Sequence, residues 1–140
     1  MELVVTRPIR EPGAGPRPLV LVVDDDGRCA NLLARLLRAD GYDADVTTDG
    51  AAALARLSRD PVPEALVTDF HLPHADGLAV GRYARLRRGG IPIFVVTGHP
   101  QSFENAKAET DEPIVLLTKP FEYADLLTGL FSALGSAKGP

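Results

Sequence analysis

From Leu19 onward, apolar runs and amphipathic stretches alternate along the chain. Leu19 to Val23 is an unbroken apolar run, the pattern of a strand covered on both faces. Residues 27–39 place Cys29, Leu32, Leu33, Leu36 and Leu37 on one helical face, with Asp26 as N-cap and Gly41 as stop. "YDADVTT" alternates and predicts an edge strand, and residues 50–59, with Ala51, Leu54, Ala55 and Leu57, predict a weak helix closed by "DPVP". "EALVTD" is a third strand, "GLAVGRYARLRR" a third helix and "IPIFVVT" a fourth strand. "QSFENAKAETDEP" has few apolar anchors and predicts at most a short or mobile helix before the fifth strand, "IVLLTK". The last helix is the clearest, with Tyr123, Leu126, Leu127, Leu130, Phe131 and Leu134 at i, i+3, i+4, i+7, i+8 and i+11. Strands alternating with helices predict an α/β fold built on a parallel sheet, and right-handed crossovers put helices on both faces.

Residues 1–17 are rich in proline and glycine and lack periodicity, so they predict a flexible leader. The domain is expected over 18–135, followed by a frayed tail at 136–140. A chain of 140 residues fits one such domain. A net charge of -4 leaves no basic face for phosphates, which argues against direct nucleic-acid binding. No apolar run reaches bilayer length and no signal-peptide core stands at the N-terminus, so no membrane role is expected. The single cysteine, Cys29, excludes an internal disulfide and fits a reducing cytoplasm; the helical pattern places it in the core. No P-loop or dinucleotide-binding glycine motif is present.

The candidate chemistry lies where the strands end. The first ends in Asp24 and Asp25, the third in Asp69, the fourth in Thr97 and the fifth in Lys119. In an open parallel sheet these carboxyl ends share one rim, where ligands bind. Three clustered carboxylates repel one another and call for a hard divalent cation with oxygen ligands, Mg²⁺ (or Mn²⁺) rather than zinc. Carboxylates, a hydroxyl and an ammonium around such an ion suit phosphoryl transfer to a carboxylate, which depends mainly on positioning and charge stabilisation. Asp69 then acts as nucleophile, Lys119 pairs with phosphoryl oxygens and Thr97 donates a hydrogen bond. His71, His74 and His99 all fall in loops at this rim; their spacing does not suit a transition-metal site, and they are read as shaping access to the phosphoryl group. The "RLRR" run at 85–88 is read as the solvated end of the third helix.

The pieces "VLVVDDD", "LVTDFHLPHADGLAV", "IPIFVVTGH" and "LLTKPF" closely resemble the response-regulator receiver domain of two-component signalling. The resemblance spans about residues 18–135, with 45 residues from Asp24 to Asp69, 28 from there to Thr97 and 22 from Thr97 to Lys119. It implies a flavodoxin-like (βα)5 doubly wound sheet of strand order 2-1-3-4-5, the order that general fold rules illustrate with a member of this family. It implies that Asp69 is the phosphoacceptor, taking its phosphoryl group from the phosphohistidine of a histidine kinase or a phosphotransfer protein. Asp24, Asp25, Asp69 and the backbone carbonyl of His71 are then the Mg²⁺ ligands, Thr97 the switch hydroxyl and Lys119 the phosphate-pairing lysine. A cis bond between Lys119 and Pro120 is also implied. Leu116 departs from the pattern, since an aromatic residue usually stands three positions before the lysine.

The expected function is therefore that of a bacterial signalling phosphoacceptor, not an enzyme, whose own chemistry is limited to autophosphorylation and autodephosphorylation. Its phosphorylated surface would bind a downstream protein partner or output domain, and pairing into a homodimer is a further expectation. The sequence reads either as a single-domain regulator or as a piece of a longer protein. Two alternatives stand beside this reading. One is a receiver-like binding module that is not phosphorylated; the other is a Mg²⁺-dependent phosphatase working through an aspartyl phosphate.

Overall fold

A computed structural model describes residues 16–107 and 113–135. The expectations for most of the leader (residues 1–15), for residues 108–112 and for the tail from 136 lie outside the described residues. Five strands, β1 (Leu19–Val23), β2 (Asp43–Thr47), β3 (Ala65–Asp69), β4 (Ile93–Thr97) and β5 (Val115–Thr118), form one parallel sheet in the order β2-β1-β3-β4-β5. Helices α1 (Gly27–Ala39), α2 (Gly50–Leu57), α3 (Gly77–Arg87), α4 (Pro100–Lys107) and α5 (Tyr123–Leu130) connect the strands, and a π-helical turn over Phe131–Gly135 follows α5.

The sheet separates two cores, and strand periodicity decides which residue joins which. Val20, Val22, Val67, Phe94 and Val96 face α1 and α5, while Leu21, Val23, Leu66, Ile93 and Val95 face α2, α3 and α4. Every residue of β3 and β4 is buried, whereas β2 and β5 keep exposed positions as edge strands do. Asp26, Asp49 and Asp76 cap α1, α2 and α3, each accepting backbone N–H bonds in the first turn of its helix. Gly41, at φ 102°, ends α1, and Tyr42 donates its N–H back to the Leu37 carbonyl at 3.0 Å. No helix among the described residues is long and apolar enough to cross a membrane.

Several helix faces differ from the expected ones. In α1 the buried residues are Ala30, Ala34 and Leu37, while Cys29 is exposed and Leu32 is 56% exposed. Ala30, Ala34 and Leu37 join the core with Leu33 half-buried beside them, while Cys29 and Leu32 lie outside it. In α2 the buried residues are Gly50, Ala53, Arg56 and Leu57, and Ala51 and Ala55 face solvent. Of the expected face of α5 and the π-helical turn after it, Leu126, Leu127, Leu130 and Leu134 are buried, while Phe131 is 38% exposed.

The arginines of "RLRR" bind backbone rather than standing free in solvent. Arg85 donates to the carbonyls of Ile91 (3.2 Å) and Pro113 (2.6 Å), Arg87 to that of Leu57 (2.7 Å), and Arg88 to those of Pro63 (3.0 Å) and Val62 (3.1 Å). Arg17, assigned by its sequence to the leader, is anchored too: it pairs with Asp43 at 3.2 Å and donates to the carbonyls of Arg38 and Tyr42.

Candidate functional site

The ladder continues just past the strand ends and sets the height of each candidate side chain. Asp24 N donates to the Thr47 carbonyl at 3.2 Å, Phe70 N to that of Val96 at 2.9 Å, and Lys119 N to that of Thr97 at 2.8 Å. With Val23 opposite Thr68, Asp69 opposite Val96 and Thr97 opposite Thr118, Asp24 and Asp69 end their strands at one level, while Thr97 and Lys119 follow one and two residues further along the rim. Strands of Val, Leu, Ile and Phe are driven inward by burial, and the polar residue that ends each one meets the others at this rim.

Asp24, Asp25 and Asp69 each bring a carboxylate oxygen to a common place, all within 4.8 Å of one another. Asp69 is buried, Asp24 half-buried and Asp25 exposed, so the cluster is closed on the sheet side and open to water on the other. The Lys119 ammonium lies 3.1 Å from an Asp69 carboxylate oxygen. Burial, reinforced by the hydrogen-bonded and charged Asp24, pushes the Asp69 carboxyl up to about 7, against the opposite pull of Lys119. Burial pulls the Lys119 ammonium down, but the hydrogen bond to Asp69 and the charges of Asp69, Asp24 and Asp25 outweigh it and hold it above its ordinary range.

Asp25, Asp69, His71, Thr97, Gly98, His99 and Lys119 line a single cleft. Thr97 is 2% exposed, and its hydroxyl oxygen accepts the His99 N–H at 2.9 Å, leaving the hydroxyl proton available to donate. A Cβ at Gly98 would meet nothing within 4 Å, so the rim beside Thr97 is open. The rings of His71 and His99 meet edge to face, 5.6 Å between centroids, at the mouth of this cleft. His74 lies apart from them, its Nδ1 3.6 Å from an Asp49 carboxylate oxygen. The bond between Lys119 and Pro120 is cis, as is that between Asp60 and Pro61, which nothing in the sequence singled out. Leu116 is half-buried and packs into the core on the α2, α3 and α4 side, where Phe70 and Phe103 meet edge to face at 5.7 Å.

One neighbouring feature escaped the sequence reading. An apolar cleft lined by Cys29, Leu32, Leu33, Leu36, Phe121 and Tyr123 runs beside α1 and reaches Asp24 and Asp69. Cys29, which the helical pattern places in the core, is exposed here, and of the helical face on which Leu32 and Leu36 are expected with it, Leu32 is exposed and Leu36 half-buried; Ala30 and Ala34 are buried instead. The Cys29 thiol donates to Asp26 at 3.3 Å, which lowers the Asp26 carboxyl from its ordinary range and raises the thiol.

The donor set fits a hard divalent cation. Three carboxylates face one ammonium, an excess of negative charge held partly out of water, and every candidate ligand atom is oxygen. Which proteins share this arrangement is also clear. Residues 20–131 match the family described as response regulator receiver domain. The chain is 34% identical over 119 residues to the response regulator MprA of Mycobacterium leprae (strain TN), covering 85% of this chain and 52% of that protein. The MprA of Mycobacterium tuberculosis (strain CDC 1551 / Oshkosh) is also 34% identical over 119 residues, 85% of this chain and 51% of that protein. The chain thus spans about half the length of the curated relatives it matches. Among solved structures, the chemotaxis response regulator CheY4 of Vibrio cholerae superposes with TM-score 0.73 at 25% identity, covering 85% of this chain and 100% of that one. The receiver domain of the sensor histidine kinase PA1611 from Pseudomonas aeruginosa PAO1, with a magnesium ion in its active-site cleft, does so with TM-score 0.72 at 25% identity, covering 86% and 99%. With its strand order, its rim of acids and lysine, and this sequence kinship, the chain belongs to the response-regulator receiver-domain family.

Proposed function

We propose that Asp69 is the phosphoacceptor of this receiver domain and that the chain works as a phosphorylation-driven switch in two-component signalling. The observation that carries the reading is the Lys119 ammonium, 3.1 Å from the Asp69 carboxylate within the cluster of three acids. An Asp69 oxygen attacks phosphorus, the bond from phosphorus to the imidazole nitrogen of a donor phosphohistidine breaks, and that nitrogen leaves with the electron pair. Lys119 shifts from the carboxylate to a phosphoryl oxygen, and the Thr97 hydroxyl donates to another, offsetting charge where it develops. Asp24, Asp25, Asp69 and the His71 carbonyl would hold Mg²⁺ (or Mn²⁺), which when bound neutralises the acid cluster and the phosphoryl oxygens. Water attacking the aspartyl phosphate releases inorganic phosphate and restores the carboxylate; His71 and His99 stand at the cleft mouth through which that water passes.

The donor is a histidine kinase or phosphotransfer protein and the setting is the cytoplasm. The recipient of the signal is a protein partner or output domain that binds the phosphorylated surface differently from the resting one. The test is treatment with a small phosphodonor, with and without Mg²⁺, followed by intact mass and mapping of the modified residue. One added phosphoryl group on Asp69, dependent on Mg²⁺ and lost in Asp69→Asn, is the expected result. Labelling that persists in Asp69→Asn rules out the acceptor. Leu116, which supplies neither the ring nor the hydroxyl of the usual aromatic residue at its position, is the feature that favours a second reading as a binding module. Absence of any labelling in the presence of Mg²⁺ would select that second reading.

A further inference from the structure

The loop that follows Asp69, residues 70–76, is held at both ends by contacts between backbones. At its far end Gly77 donates its N–H to the Phe70 carbonyl at 2.8 Å, and a Cβ at Gly77 would lie 2.4 Å from the Asp69 carbonyl oxygen. In the middle of the loop, the Pro73 carbonyl accepts the N–H of Gly50, the first residue of α2, at 2.9 Å. A Cβ at Gly50 would lie 2.2 Å from the Ala75 carbonyl oxygen and 2.6 Å from the Ala75 Cβ. Both distances are far inside van der Waals contact, and the obstacle is the Ala75 carbonyl together with its Cβ, neither of which a rotamer change can move aside.

The lack of a side chain at Gly50 is not a conformational need. Gly50 has ordinary helical backbone and its φ is not positive. A helix would be more stable with alanine there, since glycine costs up to about 1 kcal/mol. What glycine permits is close approach of α2 to the loop that carries His71. Asp49 adds a second hold, capping α2 at Ala52 N (2.7 Å) while its other oxygen lies 3.6 Å from Nδ1 of His74, the loop residue at φ 73°.

We propose that Gly50 is a positioning residue for the metal and phosphoryl site: the N-terminus of α2, seated on Pro73 and Ala75, fixes the loop and so the place of the His71 carbonyl. The inference rests on the reading of Asp24, Asp25, Asp69 and the His71 carbonyl as the Mg²⁺ site. Groups that orient a metal ligand without touching the ion typically change affinity about 10- to 100-fold when altered. Gly50→Ala must push the loop or withdraw α2, and either shifts the His71 carbonyl.

The experiment measures Mg²⁺ affinity by calorimetry on the full chain, at a temperature where thermal unfolding shows each variant folded. Gly27→Ala serves as the matched control, because Gly27 also opens a helix but a Cβ there meets nothing within 4 Å. The expected result is Mg²⁺ binding weakened about tenfold or more by Gly50→Ala, with Gly27→Ala like the parent chain. Unchanged Mg²⁺ affinity in a folded Gly50→Ala variant overturns the inference while leaving the proposed function intact. A parent chain that binds no Mg²⁺ removes the function reading and this inference with it. If Gly50→Ala does not fold, amide exchange in the parent chain decides. Protection at the Gly50 N–H should rise with Mg²⁺ over the range in which the ion binds, and protection that stays flat overturns the inference.

Discussion

At the scale of single residues, the site is a balance of charges that one substitution can tip. Asp69 is held up to about 7 by burial and by Asp24, so between about pH 4 and 7 the folded chain keeps a proton there that the unfolded chain has lost. The stability of the metal-free protein therefore falls as pH rises through that window, with the whole penalty present above it. Asp69→Asn removes this titration. In chelator-treated protein it should raise the melting temperature clearly at about pH 8 and little at about pH 5; an equal effect at both would contradict the assignment. Lys119→Met removes the ammonium that lies 3.1 Å from that carboxylate. Phosphorylation from a small donor is expected to slow about 10²-fold or more, as when a charge-stabilising donor is removed from an acyl-transfer site, and single-turnover labelling rates check this. Both residues were legible in the sequence, because a charged residue ending an apolar run has few other places to go. The raised Asp69 acid was not, since it depends on how deeply the strand end is covered.

Among the helices α1 to α5, α4 has the fewest buried residues. Phe103, 1% exposed, is its one buried residue, and its ring meets Phe70, the residue after Asp69, edge to face. Leu116, where the family pattern has an aromatic residue, adds no ring on this side, so the aromatic contacts here come from α4 and the β3–α3 loop. Phe103→Ala should cost about 3 kcal/mol and free α4 first. Amide exchange should accelerate across residues 100–107 while β1 and β3 stay protected; exchange that accelerates evenly throughout the sheet would show that α4 is not a separable unit. The polar composition of "QSFENAK" already announced a short helix. The face of α1 differs from the expected one because apolar size was equated with burial, whereas Ala30 and Ala34 are buried and Leu32 is exposed; in α2 it is Arg56 and Ala53, not Ala51 and Ala55, that lie inside.

Across the whole molecule, the rim opposite the site is tied together by arginines. Arg56, 4% exposed, bonds Asp45 at 2.8 Å and the carbonyls of Arg59 and Pro61 at 3.0 and 2.8 Å, while Arg87 and Arg88 reach Leu57, Val62 and Pro63. Arg56→Ala leaves two carbonyls and a half-exposed carboxylate without their partner and should destabilise by about 2 kcal/mol or more. Asp45→Asn, changing only the exposed end of the pair, should cost under about 1 kcal/mol; chemical denaturation of both compares them, and equal costs would contradict this account. Nothing in "ALARLSRDPVPE" marked Arg56 as buried, because its partners come from β2 and from a loop whose path depends on the packed structure. By itself the sequence determined the alternation of strands and helices, the two-sided burial of the central strands and the acids, hydroxyl and lysine at their ends, since burial periodicity and strand polarity act locally. Tertiary structure alone decided which faces of α1 and α2 are buried, how α2 seats on the loop after Asp69, and how far Asp69 is shielded from water. Those depend on distances between segments remote in sequence, set by close packing rather than by the pattern along any one of them.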